Sequence, residues 1–160
     1  MQILLASVGR LKAGPERDLC SRYLARAAAM ARPLGVAAVE AREFDEGRGR
    51  RPADRKAEEA KALRAILPAG ARLVLLDERG KALSSEAFAA DIGKSRDAGL
   101  PALVLAIGGP DGHDPALVAD ASLVLAFGAM TWPHQLARIM AAEQIYRALT
   151  ILAGHPYHRS

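Results

Sequence analysis

The apolar positions along this chain fall into two textures. Before residue 70, short apolar stretches alternate with charged ones. After Arg72, unbroken apolar runs recur at Leu73-Val74-Leu75-Leu76, Ala102–Ile107 and Leu123–Phe127. A strand that is apolar at every position is buried on both faces, the mark of a parallel sheet covered by helices. In the first half, Gln2–Val8 reads as a strand and Gly14-Pro15 opens a helix with proline at an early helical position. Leu19, Tyr23, Ala27 and Met30 keep helical spacing to about Arg32, where Pro33 and Gly35 stop the helix. Val36–Phe44 is expected as a second, weakly alternating strand. Asp54 is placed to cap a helix carrying Ala57, Ala60, Leu63 and Leu67, which Pro68 and Gly70 end. Further helices are expected from about Ser85 to Lys94, Pro115 to Ala121 and Gln135 to Leu152. The last carries Leu136, Ile139, Met140, Tyr146, Leu149 and Leu152 on or near one stripe.

Alternating strands and helices without repeats or a long linker describe one doubly wound α/β domain, which suits a chain of 160 residues. Sheets of this kind bind ligands at the carboxyl ends of their strands. The loops to inspect therefore follow Asp77, Ile107 and Phe127.

The loop after Ile107 reads Gly108-Gly109-Pro110-Asp111-Gly112. Consecutive glycines let backbone approach a ligand closely, though a plain tight turn accounts for them too. The spacing is neither the dinucleotide fingerprint nor a P-loop. The next loop, Gly128-Ala129-Met130-Thr131-Trp132-Pro133-His134, holds the one tryptophan of the chain. Its backbone could read an adenine edge with Met130 and Trp132 as apolar walls; alternatively, Trp132 is simply core. The tail, His155-Pro156-Tyr157-His158-Arg159, gathers two imidazoles, a phenol and a guanidinium where free termini usually fray. Arg159 suits phosphate, Tyr157 suits stacking on a base, and His158 suits hydrogen bonding or proton transfer. Two histidines are too few ligands for a metal site, and none is expected.

Composition narrows the setting. The net charge of +4 is mild, but Gly47-Arg48-Gly49-Arg50-Arg51 concentrates it in one loop. Such a loop could meet RNA phosphates through Arg48, Arg50 and Arg51, or be a solvated flexible surface loop. The single cysteine, Cys20, lies among Leu19, Tyr23 and Leu24 and reads as a small buried hydrophobe. Gln2–Val8 is too short for a secretory signal, and no stretch approaches the roughly 20 apolar residues of a membrane span. A cytosolic, reducing compartment is expected, with no membrane partner.

Leu75-Leu76-Asp77, Ile107 to Gly112, Thr131-Trp132-Pro133-His134, Ala142-Glu143-Gln144-Ile145-Tyr146-Arg147 and His155 to Arg159 resemble, in order and spacing, the RlmH family. These are bacterial SPOUT-class methyltransferases that modify N3 of a pseudouridine in 23S rRNA. The resemblance covers essentially the whole chain and is most specific from Ile107 onward. It implies a single SPOUT domain over residues 1–160, its parallel sheet flanked by helices. It also implies a C-terminal trefoil knot within the cofactor-binding part, about 72–160, and a homodimer acting on 23S rRNA within the assembled ribosome. S-adenosylmethionine would contact Leu76, Gly108, Phe127, Gly128, Ala129, Met130, Thr131 and Trp132. The tail would line the RNA side of that pocket near the dimer interface. Tyr157 would then position the base, His158 would assist proton loss, and Arg159, with His155, would hold RNA. The sequence departs from the family at Gly128, where a serine is common, and at Trp132, where a smaller apolar residue is common.

The competing reading is a non-catalytic ribosome- or rRNA-binding module. The paired glycine-rich and tryptophan-containing loops at strand ends argue against it. A small α/β hydrolase or phosphate-handling enzyme would need a nucleophile elbow or a P-loop, and the chain has neither.

Overall fold

A computed structural model describes residues 1–159. Five strands form one sheet, β1 (Gln2–Val8), β2 (Ala38–Phe44), β3 (Arg72–Ala82), β4 (Ala102–Ile107) and β5 (Leu123–Ala126). Their order is β2-β1-β4-β3-β5 and every pairing is parallel. Five helices connect or follow them: α1 (Pro15–Ala31), α2 (Pro52–Ile66), α3 (Ser85–Asp97), α4 (Pro115–Asp120) and α5 (His134–Leu152).

The unbroken apolar runs supply two cores because successive side chains of a strand point to opposite faces. Ile3, Leu5, Val74, Leu103 and Leu105 face α1, α3 and α5, meeting Ala27, Phe88, Ile92, Ile145 and Leu149. Their neighbours Leu4, Ala6, Leu73, Leu75, Val104 and Ala106 face α2 and α4, meeting Ala60, Leu63 and Leu117. Small side chains on α5, namely Ala141, Ala142 and Ala148, are buried and let that helix lie close to the sheet. Leu136 is exposed, so the expected stripe is displaced; Ile139 and Met140 stay half-buried along a groove. Cys20 is buried within the first core, where desolvation pushes its thiol pKa up, so it is an inert filler. Among the described residues, no helix is long and apolar enough to cross a membrane.

Element boundaries differ from expectation for local reasons. β2 starts at Ala38 because the Val36 amide still closes onto the Ala31 carbonyl at the end of α1. Asp54 does not cap α2. Pro52 begins that helix, and Asp54 sits in its first turn with its carboxylate accepting from the Arg51 guanidinium at 2.8 and 2.9 Å. Caps appear instead at Ser84 and Asp114, whose side chains accept amides of α3 and α4.

The largest departure is in β3. Leu76 and Lys81 both pair with Leu125, so Asp77-Glu78-Arg79-Gly80 leave the ladder as an excursion and return to the same partner. Gly80 permits the return, since a Cβ there would lie 2.7 Å from the backbone of Val124 and Leu125. Three charged residues are thereby held over the carboxyl end of the sheet.

α5 is anchored by a buried cation. Arg138, 5% exposed, donates to the Val8 and Gly9 carbonyls at 3.1 and 2.9 Å and to Glu43 Oε1 at 2.6 Å. It thus grips the ends of β1 and β2 from the opposite terminus of the chain. Replacing Arg138 with Met leaves Glu43 and two strand-end carbonyls without their donor. We expect a loss of about 3 kcal/mol in unfolding free energy, read from the urea midpoint. A loss below about 1 kcal/mol would show the clamp to be dispensable.

Candidate cofactor cleft and tail

The loops at the carboxyl ends of β3, β4 and β5 converge on a cleft of about 400 Å³. That lies within the roughly 300–1,000 Å³ range of small-molecule sites. Leu76, Ile107, Phe127, Met130 and Trp132 form its apolar part, and Asp77, Glu78, Arg79, Asp111 and His134 its polar part. Of the residues expected to hold the cofactor, Leu76, Gly108, Phe127, Gly128, Met130, Thr131 and Trp132 all line it. Ala129 lies in the same loop but not among the lining residues. Trp132 is 41% exposed and Met130 73% exposed, so neither is core. Trp132 Nε1 donates to the Phe127 carbonyl at 3.3 Å, which folds the loop onto itself. Thr131 Oγ1 donates to Glu78 at 2.7 Å, tying this loop to the β3 excursion. Gly128 has φ +101, a conformation that a serine would adopt only under strain.

The glycine loop is a tight turn as well as a cleft wall. The Gly112 amide donates to the Gly109 carbonyl at 3.0 Å. Behind it stands His113, 7% exposed, whose Nε2 donates to the Leu76 carbonyl at 3.1 Å. A Cβ on Gly108 would come within 3.2 Å of the His113 ring, so glycine lets backbone line the cleft in front of the imidazole.

The basic loop is packed rather than free. Arg48 N donates to Glu58 at 2.7 Å and Gly47 N to the buried Glu59 at 2.9 Å, which fastens the loop along α2. Arg48, Arg50 and Arg51 remain exposed, with Arg51 committed to Asp54.

The tail folds back on its own chain, away from the cleft. Tyr157 OH donates to Glu143 at 3.0 Å, and its ring meets Tyr146 edge-on at 4.7 Å. Burial, then Tyr23 and Glu143, push the phenol pKa up. His158 Nε2 donates to Glu86 at 2.6 Å, while its Nδ1 lies 3.3 Å from the Arg147 guanidinium. Both ring nitrogens are therefore engaged, and neither is open to a substrate in this arrangement. Glu86 is held down to about 2, by its own backbone amide first and by His158 next. His155 is exposed and accepts the Tyr157 amide at 3.1 Å, and Arg159 is exposed. Tyr157 lines a second groove, of about 600 Å³, with Tyr23, Leu83, Phe88, Ile139 and Met140. Phe127 and Gly128 belong to both groove and cleft, so the two adjoin.

A family model described as "Predicted SPOUT methyltransferase" matches residues 1–158. A protein named "Ribosomal RNA large subunit methyltransferase H" from Methylocella silvestris is 60% identical over 99% of both chains. One of the same name from Brucella anthropi is 59% identical over the full length of both. The chain belongs to the RlmH family of SPOUT methyltransferases. A crystal structure of the SpoU methyltransferase AviRb from Streptomyces viridochromogenes in complex with AdoMet is a more distant match. It has a TM-score of 0.42 and 15% identity, and the match covers 97% of this chain and 58% of that one, which is too remote to inform the site.

In this RlmH-family chain the residue pattern gives no role to His113, Glu78 or Arg79, and marks Asp77 only as a strand end, though all four line the cleft. Asp77 follows an apolar run and could have been suspected as a strand-end carboxylate; its pKa is lowered, chiefly by Arg79. Nothing local marks His113, because its partner lies 37 residues away. Burial pushes its pKa below the usual 6.5. The unfolded chain therefore binds this proton more readily than the folded one. Stability is complete above about pH 6.5 and declines as pH falls from there toward the folded pKa. His113→Gln should flatten this acid-side decline in thermal midpoint between about pH 7 and pH 5. An unchanged pH profile would show that His113 does not carry it.

Proposed function

We propose that this chain transfers the methyl group of S-adenosylmethionine to N3 of a pseudouridine in 23S rRNA. The observation that carries the reading is the strand-end cleft, where the glycine loop and the 127–132 loop face each other around a cofactor-sized volume. Its donor set suits the cofactor. The walls are apolar enough for an adenine, and the buried Gly108 puts backbone at the cleft wall packed against His113. The Glu78 carboxylate suits the cationic end, while Asp77 and Asp111 are paired with Arg79 and Arg55. When bound, S-adenosylmethionine supplies an electrophilic methyl on a sulfonium. Family membership supports the same chemistry, since the relatives are named as large-subunit rRNA methyltransferases.

The remaining work falls to the chain's own residues. Leu76, Gly108 and the stretch Phe127 to Trp132, Ala129 included through its backbone, hold the cofactor and keep water from the acceptor. N3 of pseudouridine carries an acidic imide proton, so one modest base suffices. Tyr157 positions the uracil ring, His158 takes the proton once its contacts with Glu86 and Arg147 exchange for RNA, and Arg159 binds phosphate. His155 and the Arg48, Arg50 and Arg51 loop add RNA contacts. Because a chain's own tail lies outside its cleft, the homodimer that the family reading implies would have to supply a partner's tail to complete the site. This homodimer, a trefoil knot within residues 72–160 and the single-domain organisation follow from the family reading. A cytoplasmic ribosome is the substrate that fits it.

Ribosomal RNA from a strain deleted for this gene should lack one methyl group on one pseudouridine by mass spectrometry, and plasmid copies should restore it. An unaltered rRNA would refute the activity. Within the tail, Arg159→Ala should weaken ribosome binding and reduce its logarithmic salt slope by about one. An unchanged slope would assign Arg159 a structural role.

A further inference from the structure

One guanidinium outside the cleft spans two functional loops. Arg55, on α2, donates from Nε and Nη2 to the two carboxylate oxygens of Asp111 at 2.6 and 3.1 Å. Its remaining nitrogen, Nη1, donates to the Gly49 and Arg50 carbonyls, each at 3.2 Å. Asp111 belongs to the glycine loop lining the cleft, while Gly49 and Arg50 belong to the basic loop. One turn further along the same helix face, Glu59 repeats the pattern. Its Oε1 accepts the Gly47 amide at 2.9 Å, and a Cβ on Gly109 would meet its carboxylate at 2.8 Å. The helix therefore meets the basic loop at Arg55, Glu58 and Glu59, each time through the loop's backbone, and meets the glycine loop through the Asp111 carboxylate and beside Gly109.

Stability is one consequence of this arrangement. The Arg55 and Asp111 side chains are only 30% and 25% exposed, and a bidentate pair is the kind of ion pair that does contribute to folding. What the planar fork supplies is direction: it fixes Asp111 in the plane of two parallel hydrogen bonds while its other edge is held by the basic loop. Lysine at this position would carry the same charge and could not satisfy both loops at once.

We propose that Arg55 and Glu59 are positioning residues that join the RNA-facing loop to the cofactor loop, so that RNA contact at Arg48, Arg50 and Arg51 tightens cofactor binding at Gly108–Gly112. The inference rests on the functional reading above. Phosphates that settle on the basic loop immobilise the Gly49 and Arg50 carbonyls. Those carbonyls immobilise Arg55, and Arg55 immobilises Asp111 at the cleft. A cofactor then meets Asp111 held in one orientation, which is a positive coupling between the two ligands and is reciprocal.

The test titrates S-adenosylhomocysteine, which fills the cleft without turnover. It is added to the protein alone and to protein saturated with ribosomes from the deletion strain. In the wild type, ribosomes should tighten its binding about tenfold, within the usual span of such couplings. In Arg55→Met the tightening should fall to about onefold, and Arg55→Lys should fail to restore it because charge alone does not bridge the loops. Thermal unfolding of both variants should stay cooperative with a lowered midpoint, and titration well below that midpoint separates lost coupling from lost structure. Tightening that persists in Arg55→Met would overturn the inference. A wild-type protein that binds both ligands without mutual effect would overturn it while leaving the function standing. A wild-type protein that binds neither would overturn the functional reading itself.

Discussion

Arg138 reaches from α5 to the place where β1 and β2 end, and the position of both functional segments depends on that attachment. α5 begins immediately after the 127–133 loop and ends just before the tail. Its register against the sheet therefore sets where the tryptophan loop and Tyr157 lie. The guanidinium binds two backbone carbonyls and a carboxylate in a site it shares with little water. No hydrophobic side chain could hold those carbonyls, and an uncompensated charge there would be costly, so the contact selects one helix placement over its neighbours.

Most of the fold was legible from one property, the continuity of apolar runs. β4, β5 and the first half of β3 read as strands covered on both faces. The structure puts alternate residues of β3 and β4 into two separate cores, while the edge strand β5 is half-buried at Leu123 and Val124. The strand-end loops were legible for the same reason, since a parallel sheet fixes which end carries function. The β3 excursion was not. Asp77-Glu78-Arg79-Gly80 looks like the polar end of a strand, and its return to Leu125 depends on a backbone contact that leaves no periodic trace. Nor was the docking of the tail, whose partners Glu86 and Glu143 lie 72 and 14 residues away. A capping role for Asp54 was a local inference that lost to another local rule, because Pro52 is better suited to the first helical position.

Electrostatics here organise more than they attract. Arg10, Arg51, Arg55, Arg64, Arg72, Arg79, Arg96, Arg138 and Arg147 each pair with a carboxylate. The mild net charge is thus a remainder left on particular surfaces, among them Arg48, Arg50 and Arg159. Several of the paired arginines also bind backbone carbonyls, so they act as struts between segments distant in sequence. A basic composition read as a whole would have missed this division between structural and exposed cations.

The excursion in β3 has a consequence for how such a sheet can change over time. Because it leaves and rejoins the ladder opposite the same residue, Leu125, strand pairing is indifferent to how many residues it contains. Residues could be added or removed between Leu76 and Gly80 without shifting any side chain in either core to the wrong face. One wall of the cleft is in this sense a detachable panel, open to remodelling by insertion while the sheet beneath it keeps its register.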